Sequence, residues 1–180
     1  MHTIFCILGK TGSGKDSLVN EVSAKEGLTS LISYTTRPRR NNEGDSHIFV
    51  TEEDYLFEEN ILVDTKIGNY YYWSTKEQIE KSDFYIINPN ALSTLKEKVG
   101  DTVRIITIYI TAPEAARLAR LRLRDKEVNL DRIAAEEEQF RVFEEKKDYD
   151  YCIHNNHFDC AAAVLQTIVN YERNKHNYEI

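Results

Sequence analysis

The sequence predicts an α/β fold, a parallel sheet wrapped by helices, and three observations carry that prediction. Short apolar runs rich in β-branched or aromatic residues recur at 3–8, 84–88, 103–110 and 151–154, as buried parallel strands require. Segments with helical character lie at 17–25, 91–99, 113–126 and 158–173. The two kinds alternate along the chain, which is the order that builds a parallel sheet with covering helices.

The first strand, 3–8, runs straight into "GKTGSGKDS" at residues 9–17. A strand, a glycine-rich turn and a helix in that order aim successive backbone N–H groups at one point, and the helix N-terminus adds partial positive charge. This is an anion cradle made of Gly9, Lys10, Thr11, Gly12, Ser13, Gly14, Lys15, Asp16 and Ser17, in which the glycines allow a tight path and Lys15 reaches the outer phosphates of a bound triphosphate. The pattern G-x-x-x-x-G-K-[ST] asks for a hydroxyl where Asp16 stands. A carboxylate is also a hard oxygen ligand for Mg²⁺, so Asp16 is the candidate metal ligand. Ser17 follows about 100° further round the helix and is the weaker one.

Residues 33–81 break the strand–helix rhythm with many tyrosines, the turn "NNEGD" and the turn-like "IGNYYYW", and read as an inserted, mostly β unit. Within it "SYTTRPRR", residues 33–40, sets three arginines beside hydroxyls, a combination suited to a phosphate monoester. "GNYYYWS" reads as core of that unit with one ligand contact. Next, Pro113 suits the first position of the helix that ends near 126. The stretch "RDKEVNLDRIAAEEEQ", 124–139, is charged and reads as an exposed helical flap.

Composition bounds what the chain meets. With 180 residues, 41% of them hydrophobic, it suits one domain with a sizeable core. The net charge of −7 and pI near 5.3 supply no global basic field for nucleic acid, which leaves small anionic ligands as the expected partners. Cys6, Cys152 and Cys160 form no C-x-x-C pair, which fits a reducing, cytoplasmic setting, and the apolar start is too short for a signal or a membrane segment.

Six motifs in order give the chain its likeness: the glycine loop, "SYTTRPRR" with "EGDSHIFV", "GNYY", "NPNAL", "APEAARLARLRLRD" and "YDYCIHN". On them the chain resembles the guanylate kinase family over most of its length. The resemblance implies a P-loop kinase three-layer fold across 1–180, with a core at 1–32, 82–123 and 140–180, an acceptor-binding insertion at 33–81 and a lid at 124–139. It implies transfer from ATP with Mg²⁺ to a small phosphorylated acceptor, GMP or dGMP, without a membrane. Ser33, Arg37, Arg40 and Tyr71 would hold the acceptor's phosphate and nearby groups, His47 falls where the family has a phosphate-binding tyrosine, and Arg120, Arg124 and Arg132 would be lid arginines. Asn155 stands where the family approaches the donor adenine.

At the two positions where the family reads guanine with carboxylates, this chain has Leu62 and Asn90, which brings Asp64, Asn88 and Asn90 forward as substitutes. The chain also resembles ribose 1,5-bisphosphate phosphokinase through "SGKDSL", "TRP" and "EGDSHI", and guanylate kinase-like domains also serve as binding scaffolds. Arg40 and the retained Gly14-Lys15 pair favour the nucleotide kinase.

Overall fold

The computed structural model describes residues 1–40, 43–124 and 130–175, with side chains from Ile133 onward in the last span. Its elements in chain order are β1 (His2–Leu8), α1 (Lys15–Glu26), β2 (Tyr34–Thr35), β3 (Ile48–Phe49), α2 (Glu52–Phe57), β4 (Ile61–Ile67), β5 (Tyr70–Thr75) and α3 (Lys76–Lys81). They continue with β6 (Phe84–Ile86), α4 (Pro89–Val99), β7 (Val103–Thr111), α5 (Glu114–Arg124), α6 (Leu130–Lys146), β8 (Tyr151–His154) and α7 (Phe158–Lys175).

The four predicted strands form one parallel sheet in the order β6-β1-β7-β8. Pleating divides β1 between two cores. Ile4, Cys6 and Leu8 face α4 and α6, where Leu92, Leu95, Phe140 and Phe143 are buried. Phe5 and Ile7 face α1 and α7, against Leu18, Val22, Leu165 and Val169. The result is helix, sheet and helix in three layers, with the C-terminal strand ends opening toward the glycine loop.

Two boundaries shift for local reasons. The strand expected to reach residue 88 stops at Ile86, because the Asn88 side chain caps α4 by accepting from the Ala91 N–H at 2.9 Å, with Pro89 in the first helical turn. Pro113 sits one residue outside α5 rather than opening it, while its carbonyl accepts from the Arg117 N–H at 3.0 Å.

Residues from the 33–81 stretch form a second sheet, order β3-β2-β5-β4, antiparallel except for β2 with β3. Trp73 is buried at its centre, stacked on Tyr34 with centroids 5.4 Å apart and tilted against Tyr55. The charged stretch is not simply an exposed flap. From Leu130 to Lys146 it is one helix with the following residues, and Phe140 and Phe143 anchor that helix on the Tyr109 ring.

Candidate active site

The glycine loop joins β1 to α1, and two of its glycines are required by backbone geometry. Gly12 has φ of 83° and Gly14 has φ of 88°, left-handed values that side chains disfavour. A Cβ on Gly12 would lie 2.7 Å from the Arg117 carbonyl oxygen, and one on Gly14 would lie 2.4 Å from Asn155 Nδ2. Gly14 is also the N-cap of α1 and offers no side chain to its first amides. The first bond at this end runs from Leu18 N–H to Gly14 O at 3.0 Å, so the N–H groups of Lys15, Asp16 and Ser17 have no helical carbonyl to meet. They and the Lys15 ammonium converge as donors for an anion.

Asp16 is exposed, with Oδ2 3.6 Å from Lys15 Nζ. Among the described residues no group of three or more His, Cys, Asp or Glu side chains is arranged around a metal position. An ion at Asp16 would therefore take its remaining ligands from phosphate and water, as Mg²⁺ usually does.

Behind the loop stands a brace. Asn155, expected near the donor base, has only 1% of its surface exposed, and its Nδ2 donates to the Ser13 carbonyl at 2.8 Å. Buried in that way, it supports the loop and leaves no face open to an adenine. Arg120 donates to the carbonyls of Gly12 and Ser13, both at 3.1 Å, and to the carbonyl of Asn155 at 3.0 Å. It therefore turns toward loop carbonyls in this structure. Arg124 lies exposed at the end of α5, and the Arg132 side chain lies outside the described residues.

The second sheet gathers an arginine, a histidine and a serine. Arg37 is buried and makes a two-pronged pair with Glu43, Nη1 to Oε2 at 2.9 Å and Nη2 to Oε1 at 2.7 Å. Glu43 also accepts from the Arg40 N–H and the Ser46 hydroxyl, each at 2.9 Å. These bonds, led by Arg37, push the Glu43 carboxyl down to about 2. The Ser33 hydroxyl lies 3.0 Å from His47 Nδ1. Burial first, then the Arg37 charge, holds His47 below its ordinary value, although Glu43, Ser33 and Asp16 act in the other direction. Arg40 lies exposed beside this group.

Tyr71 is not brought to the cluster. Successive side chains on a strand point to opposite faces. The Tyr71 ring stacks on Tyr55 at 4.1 Å, whereas the Tyr72 hydroxyl accepts from Arg37 Nε at 3.1 Å and its ring meets His47 edge-on. Tyr72 is therefore the tyrosine beside Arg37 and His47, and period-two counting from buried Trp73 puts it on the face opposite Tyr71. Of the substitute base readers, Asp64 is exposed and accepts from the Tyr55 hydroxyl at 3.0 Å, and Asn90 is exposed in the first turn of α4. Asn88 is committed to its cap, and Leu62 packs against the core.

Glu43 and Glu136 were both missed from sequence. The Glu136 carboxylate accepts from the N–H and the hydroxyl of Thr11, both at 2.8 Å.

Residues 1–172 match the family model described as guanylate kinase. The guanylate kinase of Koribacter versatilis is 33% identical over an alignment covering 95% of this chain and 79% of that protein. That of Blochmanniella floridana is 25% identical, covering 96% and 88%. Among solved structures, guanylate kinase from Anaplasma phagocytophilum superposes with a TM-score of 0.67 at 21% identity, over 95% of this chain and 86% of that one, a likeness of fold.

Proposed function

This chain belongs to the guanylate kinase family, and on that premise we propose that its glycine loop holds ATP and its second sheet holds GMP or dGMP. It is a nucleoside monophosphate kinase: the γ-phosphoryl group of ATP passes to a phosphate oxygen of the acceptor. The acceptor oxygen forms the new P–O bond as the bond from the γ-phosphorus to the bridging oxygen breaks, and ADP leaves with that electron pair. A phosphate monoester is already ionised at neutral pH, so no general base is needed. Positioning and charge neutralisation are what remain for the protein to supply.

The observation that carries the reading is the pairing of an open α1 N-terminus with the Arg37–His47–Ser33 cluster. Lys15 and the amides of Lys15 and Asp16 hold the donor's phosphates. Arg37, presented by Glu43 and Tyr72, takes the acceptor phosphate with Arg40, Ser33 and His47. Asn155 and Arg120 keep the loop in shape, and Arg124 and Arg132 are the lid arginines that meet the transferred group on closure. Asp16 would hold Mg²⁺ directly or through water, and that ion would neutralise charge on the donor's phosphates. Asp64 and Asn90 are the base readers in this proposal. Among the described residues no helix is long and apolar enough to cross a membrane, and the setting we propose is the cytoplasm.

The test is an ATP-dependent assay with GMP, dGMP, AMP, UMP, CMP, dTMP and ribose 1,5-bisphosphate as acceptors, with Lys15→Ala as the folded, inactive control. Turnover of GMP or dGMP above the rest supports the reading. Turnover of the sugar phosphate alone would overturn the acceptor, and no ATP consumption with any of them would leave a binding module. In the same assay Asp16→Asn should raise the Mg²⁺ concentration for half-maximal rate, and Asp16→Thr should stay active. Equal Mg²⁺ dependence in wild type and Asp16→Asn would remove Asp16 as the ligand.

A further inference from the structure

The first half of the glycine loop is already engaged by anions of the protein itself. Both Thr11 donors, the N–H and the hydroxyl, go to the Glu136 carboxylate at 2.8 Å. Lys10 Nζ lies 2.6 Å from Glu137 and 3.1 Å from Glu144. Burial alone would lower the Lys10 ammonium, but its bonds to these two carboxylates outweigh it and hold it above its ordinary value. Arg117, buried, spans the same ground with one nitrogen on the Thr11 carbonyl at 3.3 Å and another on Glu137 at 2.5 Å. All three glutamates project from α6, whose position is fixed by Phe140 and Phe143 on Tyr109 and by the Tyr109 hydroxyl on Glu144.

The loop is thus divided. Its second half, at Lys15 and Asp16, presents the open amides of a helix start, while its first half, at Lys10 and Thr11, has its donors filled by carboxylates of α6. A triphosphate is longer than a diphosphate by one phosphoryl group, and the cradle's inner amides at the start of α1 are shared by both. The extra group, which Lys15 reaches from one side, would extend toward the donors in the loop's first half.

Resting on the kinase reading above, we infer that Glu136 is an affinity-setting residue, an internal anion that competes with the donor's terminal phosphate for Thr11, with Glu137 and Glu144 withholding Lys10 in the same way. ATP then has to displace a carboxylate that ADP leaves in place. The contact weakens substrate binding more than product binding, and α6 moves off the loop when ATP enters. A purely structural brace would behave differently, because it would support the loop equally for both nucleotides and would weaken both when removed.

The test is calorimetric titration of the intact protein with ATP and, separately, ADP, in Mg²⁺ buffer without acceptor, for wild type, Glu136→Gln and Glu136→Ala. Glutamine keeps an oxygen for the Thr11 N–H and removes the charge, and alanine removes both. Each variant should bind ATP at least about threefold more tightly than wild type, since a like charge close to a phosphate is lost, while its affinity for ADP changes by less. Circular dichroism on both checks that the fold is retained. An ATP affinity that is unchanged or weaker in both variants, or an equal gain for ATP and ADP, overturns the inference while wild-type ATP binding leaves the kinase reading standing. No ATP binding by wild type overturns both.

Discussion

Glu43→Gln is the substitution that most directly probes how the acceptor arginine is held. The carboxylate accepts four hydrogen bonds, two from the Arg37 guanidinium and one each from the Arg40 N–H and the Ser46 hydroxyl, at 2.7–2.9 Å. Glutamine keeps one acceptor oxygen and turns an NH₂ group toward donors less than 3 Å away. One charge-assisted bond worth about 1.5–3 kcal/mol is lost. Breaking a fully buried pair costs about 3–5 kcal/mol, but Arg37 retains the Tyr72 hydroxyl and the Pro38 carbonyl. A destabilisation of about 2–3 kcal/mol is therefore expected. At about 2–4 °C per kcal/mol for a domain of this size, Tm should fall by about 4–12 °C at pH 7. Acceptor kcat/KM should fall at least about tenfold, because Arg37 is no longer presented in one geometry. The pH dependence has a definite sign. Glu43 is pushed from an ordinary value of 4.5 down to about 2, so its contribution is complete above 4.5 and is lost as pH falls toward 2. The Tm gap between wild type and Glu43→Gln should accordingly narrow at pH 3. Equal melting at pH 7, or a gap of the same width at pH 3, would refute this account of Arg37.

Gly14→Ala should lose about 2–3 kcal/mol of stability, combining about 1–2 kcal/mol for a left-handed alanine with about 1 kcal/mol for displacing the Asn155 amide from Ser13. ATP affinity should drop at least about tenfold, and a variant that melts and binds like wild type would show that the loop adapts. His47, held below its ordinary 6.5 by burial and Arg37, should stay neutral in the folded chain at pH values where the unfolded chain takes a proton. Stability should therefore decline as pH falls from 6.5, and His47→Gln should flatten that decline. An imidazole titration followed by NMR with its midpoint above 6.5 would contradict the geometry around His47.

The central sheet was legible because β1, β6 and β7 are largely buried on both faces and so read as continuous apolar runs. The glycine loop was legible because its function lies in backbone conformation, which glycine spacing reports directly. What was hidden depends on partners far away in sequence. Asn155 sits 142 positions from Ser13, whose carbonyl it holds, and no local pattern announces such a brace. The extent of α6 was obscured because the charged run read as a flap ends at Gln139, one residue before Phe140 and Phe143, which anchor the same helix. That Tyr72 and not Tyr71 stands beside Arg37 was hidden because one position along a strand is enough to move a side chain to the other face. Glu43 went unnoticed because a carboxylate in a turn looks like surface until its arginine is seen beside it.

Trp73 is the only tryptophan in the chain, and it lies in the sheet that holds the proposed acceptor rather than beside the glycine loop. Buried between Tyr34 and Tyr55, on a strand that also carries Tyr72, it is an optical reporter of the second sheet. Binding of the proposed acceptor at that sheet should therefore change the tryptophan emission of the unlabelled chain, and binding confined to the glycine loop should change it less.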